Sequence, residues 1–226
     1  MTRVSSSKPA KRKGQYHLAP GAARQMLLRS AIKLLNRDGP GHVSLNDVAR
    51  DAKLNPALVK YYFGSKSKLF HAVLEQVVGE WRTEILAAVS ETMPPVEALR
   101  RRARTTMEFL RRYPSLTRLM HQTMMTDTKE GRFFVETFAR VNFEEHRRIL
   151  QRGIADGSFR PVDPAFFFIN YVNSGDLFGL ALPIMRRVFG SKRPDDQLFQ
   201  AFSAHAIDMM IDGIAARPVK RRKAKT

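Results

Sequence analysis

The sequence predicts an all-α protein: an N-terminal three-helix helix-turn-helix unit followed by a larger helical body, about nine helices in total. Three observations lead there. Leu, Ala, Arg and Met, all good helix formers, are plentiful, whereas Gly (13) and Pro (12) are sparse in 226 residues. Apolar residues recur at helical spacing along most of the chain, and no run with strand period and turn punctuation competes with them. Starts and stops written in Pro, Gly, Ser, Asn and Asp cut the chain into lengths that helices fill.

The elements follow in order. Residues 1–21 read as a basic disordered arm, with Ser5-Ser6-Ser7 and then Lys11-Arg12-Lys13. A helix over 22–38 carries Leu27, Leu28, Ala31, Ile32, Leu34 and Leu35 at helical spacing, and Gly39-Pro40-Gly41 stops it. Ser44 with Asp47 three residues on is a capping-box start for a short helix to about Lys53. Asn55 as N-cap and Pro56 at the first helical position open a second short helix, ending near Phe63-Gly64. Ser65 caps a long helix over 66–91. Met93-Pro94-Pro95 breaks the chain. Helices are expected over 96–112 and 115–125, and a single long one over 132–156. Asp163-Pro164 opens a helix to about Gly190, and Pro194 opens the last one, to about 216.

Charge is placed as unevenly as structure is uniform. The net charge is +18. Residues 1–20 hold five Lys/Arg and no acid, and residues 21–70 hold nine basic residues against three acids. Residues 218–226 form a basic tail, while the body between is close to neutral. A polyanion partner at the N-terminal end is the direct reading. The absence of cysteine excludes a disulfide scaffold, a thiolate zinc site, an iron–sulfur cluster and a cysteine nucleophile, and it fits a cytoplasmic setting. The apolar stretch 165–185 is interrupted by Asn170, Asn173, Asp176 and Pro183, which argues for a buried helix and against a membrane span. The six histidines form no His-x-x-x-His or His-Glu-x-x-His pair, and there is no Gly-x-Ser-x-Gly elbow or phosphate loop. No catalytic residue, metal or cofactor is therefore expected. Glu144-Glu145-His146 reads as charged surface, and Arg100, Arg101, Arg102 and Arg104 as a solvated face.

Two short helices joined by a tight turn, with a third before them, make a helix-turn-helix. Val48, Ala49, Ala52, Leu54, Val59 and Phe63 are its apolar glue. Asn55, Pro56, Ala57, Lys60 and Tyr61 are left on the outer surface, with Asn46 and Tyr62 beside them. Lys60 can donate to a phosphate or a guanine edge, and Tyr61 can pack on the backbone. Ser44 and Ser65 stand at helix N-termini, where the dipole suits a phosphate, and Lys66 adds a charge. From Ser44 to Leu69, and most specifically in Tyr61-Tyr62-Phe63-Gly64-Ser65-Lys66-Ser67-Lys68-Leu69, the chain resembles the TetR family of bacterial transcriptional regulators. It departs from that pattern where Lys53 replaces the usual turn Gly, Leu58 a small hydroxyl residue, Lys60 a Tyr and Tyr61 a His.

The resemblance implies a DNA-binding domain over 22–69 and a ligand-binding and dimerisation domain over 70–217. It implies a homodimer through the last two helices (about 163–190 and 194–216), a palindromic double-stranded DNA site and release by a small apolar or amphipathic effector. Candidate pocket residues are Met107, Leu110, Met120, His121, Met124 and Met125 from the middle helices. Phe134, Phe138, Asn142, Phe167, Asn170 and Asn173 from the later ones complete the set. Charge alone would equally suit a DNA-coating architectural protein, which the long apolar body argues against. A protein partner in place of a small ligand is the other alternative.

Overall fold

The computed structural model describes residues 19, 21–190 and 195–216, leaving aside the side chains at 175–186, 189 and 195. The predicted arm up to residue 18, the basic tail, the Pro194 start and Asp176 lie outside the described residues. Ten α-helices follow in order: α1 Ala22–Asp38, α2 Leu45–Asp51, α3 Pro56–Phe63, α4 Lys66–Ala88, α5 Pro95–Arg112, α6 Pro114–Met124, α7 Lys129–Phe134, α8 Val141–Ala155, α9 Pro164–Phe189 and α10 Asp195–Ile214. A π-helical segment, Val135–Arg140, joins α7 to α8 without leaving helical backbone, so the single helix expected over 132–156 is a longer rod with a wide turn inside it. Thr128 starts this rod, its hydroxyl accepting from the Gly131 N–H at 3.0 Å.

The caps act as their sequence suggests. Ser44 and Asp47 close a full capping box on α2. The Asn55 side chain accepts from Ala57 N–H at 2.9 Å, and the Ser65 hydroxyl from Lys68 N–H at 3.2 Å. Asp163 does the same for α9 through Ala165 at 2.7 Å. The end of α10 is tied back to the α8–α9 turn by an isolated bridge between Phe159 and Ala215. Phe159 lies so tightly under Gly153 that a Cβ there would meet its ring at 2.0 Å.

Two apolar clusters hold the chain together. One runs from α1, α2 and α3 through α4 to Leu116 and Met120 of α6, Phe134 of α7 and Phe138 of the π segment. The other joins α5, α8, α9 and α10 around Leu99, Met107, Leu150, Phe167, Tyr171 and Ile207. The helix-turn-helix is therefore not an island. Its core continues into the body across the predicted boundary at residues 69 and 70. The corner between α5 and α6 grips the end of α1 as well: Asn36 Nδ2 donates to the Arg112 carbonyl at 2.7 Å, and Ser115 Oγ donates to the Asn36 carbonyl at 3.1 Å. No described helix is long and apolar enough to cross a membrane.

Candidate nucleic-acid interface and body cavity

Val48, Ala49, Ala52, Val59 and Phe63 are buried and hold α2 and α3 together over α1. That packing turns Asn46, Asn55, Pro56, Ala57, Lys60 and Tyr61 outward, and Tyr61 is 79% exposed. Tyr62 is half-buried and holds the Tyr61 ring edge-on at 5.0 Å. The two acids of α2 are occupied by their neighbours. Asp47 is held below the usual carboxylate range first by the Ser44 hydroxyl and then by the Ser44 N–H. Asp51 is lowered chiefly by Lys33 of α1, whose Nζ is 2.6 Å away. Lys53, Lys60, Lys66 and Lys68 are exposed and make no ion pair among the described residues, so the α2–α3 face presents uncompensated positive charge. Lys66 also sits 5.3 Å from the Phe70 ring, which fixes it at the start of α4.

Ser44 caps α2 as expected, and its side chain is engaged within that cap. Its hydroxyl donates to Asp47 Oδ2 at 2.6 Å, so its one proton is used. Ser65 has no such acid on its cap.

The turn between α2 and α3 contains the one non-glycine residue with positive φ among those described, Lys53 at 56°. The Leu54 N–H bonds to the Ala49 carbonyl at 2.9 Å and the Lys53 N–H to the Arg50 carbonyl at 3.1 Å, the double bond pattern of a Schellman stop. A side chain in that left-handed position costs about 1–2 kcal/mol. Lys53→Gly relieves the strain but frees the unfolded chain, which returns about 0.4–1 kcal/mol. The net expectation is a rise in thermal midpoint of about 2 °C. A midpoint at or below that of the parent would contradict it.

In the body, Met107, Leu110, His121, Phe138 and Asn142 do converge, lining one cavity between α5, α6, the π segment, α8 and α9. Thr106, Tyr171 and Val172 complete it. Its volume is 20 Å³, the space of about one water.

The other pocket candidates lie elsewhere. Met120 is buried in the first cluster. Phe134 shares that cluster and also lines an open groove of 370 Å³ with Phe70, His71 and Leu119. Met124 and Met125 edge a separate surface hollow, Met125 at 91% exposure because α6 ends just before it. Phe167 is core, 6.3 Å from the His146 ring. Asn170 and Asn173 are exposed, because the inward stripe of α9 is Phe167, Phe168, Tyr171 and Val172 and helical period turns 170 and 173 away from it. Asn170 instead donates to the Phe166 carbonyl at 3.0 Å.

Two side chains read as surface are buried. Arg102 is 2% exposed and His146 has no exposure. Arg100 and Arg101 do face outward, to Asp208 and Glu97, and helical period carries Arg102 to the opposite, inner side of α5. His146 continues the inward stripe of Phe134, Phe138 and Asn142. Every fourth residue drifts round an α-helix by about 40°, and the wider turn of the π segment takes that drift back.

Burial, and then the Arg102 charge, push the His146 pKa down to about 3. The ring is neutral, and its Nδ1 lies 2.8 Å from the Asn142 carbonyl and 3.3 Å from Arg102 Nε. Unfolded His146 takes up a proton near its ordinary value of 6.5 and the folded one only near 3. Between those values the unfolded chain holds more protons, so stability is full above about pH 6.5 and falls as pH drops, by up to about 1.4 kcal/mol per pH unit. Urea unfolding of wild type and His146→Phe between neutral and mildly acid pH should show the wild type losing stability faster. Parallel curves would contradict it.

The model of the tetracyclin repressor-like C-terminal domain matches residues 92–219, more than half of the chain, and that of bacterial regulatory proteins of the tetR family matches residues 27–73. The chain belongs to the TetR family. The HTH-type transcriptional regulator RutR of Escherichia coli (strain K12) is 24% identical over 204 residues, covering 90% of this chain and 96% of the relative. A transcriptional regulator from Saccharomonospora viridis, solved in complex with choline, superposes with a TM-score of 0.73 at 20% identity, over 86% of this chain and 98% of that one. AibR, solved with isovaleryl coenzyme A and operator DNA, superposes with a TM-score of 0.64 at 16% identity, over 83% and 97%. At these identities the solved structures establish the fold. As a TetR-family member the chain is a DNA-binding transcriptional regulator whose helix-turn-helix is α2–α3.

Proposed function

We propose that this regulator is a homodimeric repressor that reads a palindromic operator and leaves it when a small molecule enters the body. The observation that carries the DNA half is the α3 face, where Asn55, Pro56, Ala57, Lys60 and Tyr61 stand outward beside lysines that pair with no acid among the described residues. The N-terminal end of α3 enters the major groove, Lys60 and Tyr61 reach base edges and backbone, and Ser65 and Lys66 clamp a phosphate. Asn46 and Tyr62 flank these contacts. Such a regulator works in the bacterial cytoplasm, where its DNA is.

The dimer half rests on α9 and α10. Phe166, Ile169, Asn170 and Asn173 form one outward stripe on α9, and Phe166 and Ile169 are 67% and 56% exposed. Val188 near its end and Met209 on α10 extend the apolar surface. A second copy covers it, and the twofold axis matches the palindrome.

The effector half rests on the cavity and on α4. That helix leaves the recognition helix at Ser65 and runs into the body to Ala88, so a shift of its far end moves α3. The cavity is nearly shut in this conformation, and an occupant must spread the helices around it. A hundredfold loss of operator affinity needs about 2.7 kcal/mol of difference between the two states. AibR, solved with isovaleryl coenzyme A and operator DNA, supports by likeness of fold only that such a molecule has room for both a small molecule and DNA.

Selection of bound duplexes from a random pool at near-physiological salt tests the proposal. A palindrome is expected. Retention of no common motif, with binding that vanishes as salt rises, would favour a protein that coats DNA without reading it.

A further inference from the structure

Behind the mixed lining of the body cavity lies a buried charge. Arg102 stands on α5 one turn before Thr106, on the same helix face. Its guanidinium donates from Nη2 to Asn142 Oδ1 at 2.8 Å, approaches His146 Nδ1 at 3.3 Å and lies over the Trp81 ring at 6.0 Å. All three partners are neutral. Burial lowers the pKa of Arg102, and of the two acidic groups that oppose this, Tyr171 and then Glu145, the carboxylate is paired with Arg148 at 3.1 Å; among the described residues no carboxylate forms an ion pair with Arg102. A guanidinium keeps its proton in any protein setting, so this is a permanent buried charge in neutral company among the described residues. Buried charges are otherwise paired.

Thr106 adds a second, independent sign. It is 4% exposed and lines the cavity, yet its hydroxyl has no hydrogen-bond partner. Asn142, which Arg102 holds, lines the same cavity. Thr106, Asn142, His121 and Tyr171 give the cavity its polar groups and Met107, Leu110, Phe138 and Val172 its apolar ones, and Arg102 stands behind this lining, bonded to Asn142.

We propose that the effector is a carboxylic acid with an apolar body, bound as its carboxylate by Arg102 and the Thr106 hydroxyl. This rests on the effector reading given above and names the ligand class for that site. The guanidinium offers five N–H donors in a planar fork that fits a carboxylate through two parallel bonds. The apolar body displaces Met107 and Phe138, and Met adapts readily to a new shape. Because Arg102 also lies over Trp81 of α4, drawing it toward a carboxylate disturbs the helix that carries α3. The ligand's charge and the lever are linked through one side chain.

Trp81 is the only tryptophan in the chain and is fully buried, so its fluorescence reports on this corner. The full-length protein is titrated with straight-chain carboxylates from butyrate to decanoate, with benzoate, and with the matching primary amides. At least one carboxylate is expected to give a saturable change, with its amide binding at least tenfold more weakly. Arg102→Met should weaken that carboxylate tenfold or more, and Arg102→Lys should recover part of the loss. Should Arg102→Met fail to fold, Thr106→Val decides: it should weaken the carboxylate severalfold and by more than it weakens the amide, because a hydroxyl bonds an ionised oxygen more strongly than a neutral carbonyl; equal losses overturn the proposal. The proposal is overturned if amides bind as well as acids, if Arg102→Met binds the acid like wild type, or if no acid in the series perturbs Trp81. Release of the selected operator by a neutral molecule alone would sustain the effector reading while sinking the acid. Failure to select any operator would count against the earlier reading, whatever Trp81 reports.

Discussion

Replacing Lys60 and Tyr61 together by alanine is expected to abolish specific operator binding while leaving the fold intact. Both side chains are exposed on α3 and neither holds the helix in place; that is done by Val59 and Phe63. Taking about 1 kcal/mol for each contact, at the low end for base and backbone contacts, two contacts in each of two subunits total about 4 kcal/mol, nearly three orders of magnitude in affinity. Fluorescence anisotropy on the selected duplex at fixed salt reads the affinity, and thermal unfolding checks the fold. Affinity within threefold of wild type would show that another surface meets the DNA.

The second large effect is expected at the far end of the molecule. Ile169→Glu puts a charge at the centre of the exposed α9 stripe, beside Phe166. In a dimer that carboxylate meets its own symmetry mate or apolar surface without a partner, at a cost of several kcal/mol. The variant should sediment as a folded monomer with unchanged helix content. Operator affinity should fall by at least a hundredfold, since a monomer docks only one half-site. A variant that stays dimeric would move the interface away from α9.

The fold was legible because its punctuation is local. Ser44, Asn55-Pro56, Ser65 and Asp163 each satisfy orphan N–H groups within their own first turn, so short-range chemistry sets those boundaries. Lys53 was legible for the same reason: a turn that demands positive φ announces itself against the family's glycine. The outward face of α3 followed from helical period over a few apolar residues.

The cavity was harder, because which side of a nearly all-apolar helix faces inward depends on its neighbours. Asn170 and Asn173 share a stripe with Phe166 and Ile169, and only packing shows that this stripe points away from α5 and α8. The run of arginines on α5 hid Arg102 for a different reason. Composition marks such a run as surface, whereas period puts Arg102 on the stripe of Ala103, Thr106 and Met107, a signal present in the sequence and outweighed by charge. The π segment that keeps Phe138 and Asn142 inward has no sequence signature here.

The central claim is that two recognition helices, held by one dimer, read two half-sites. The number of chains bound to the selected duplex, and the affinity for one half of it alone, test this most directly. Two chains per duplex are expected, with half-site centres one helical turn or a multiple of it apart, about 34–36 Å or a multiple. Cutting the duplex to a single half-site should cost at least a hundredfold in affinity. One chain per duplex, with affinity undiminished on the half-site, would contradict it.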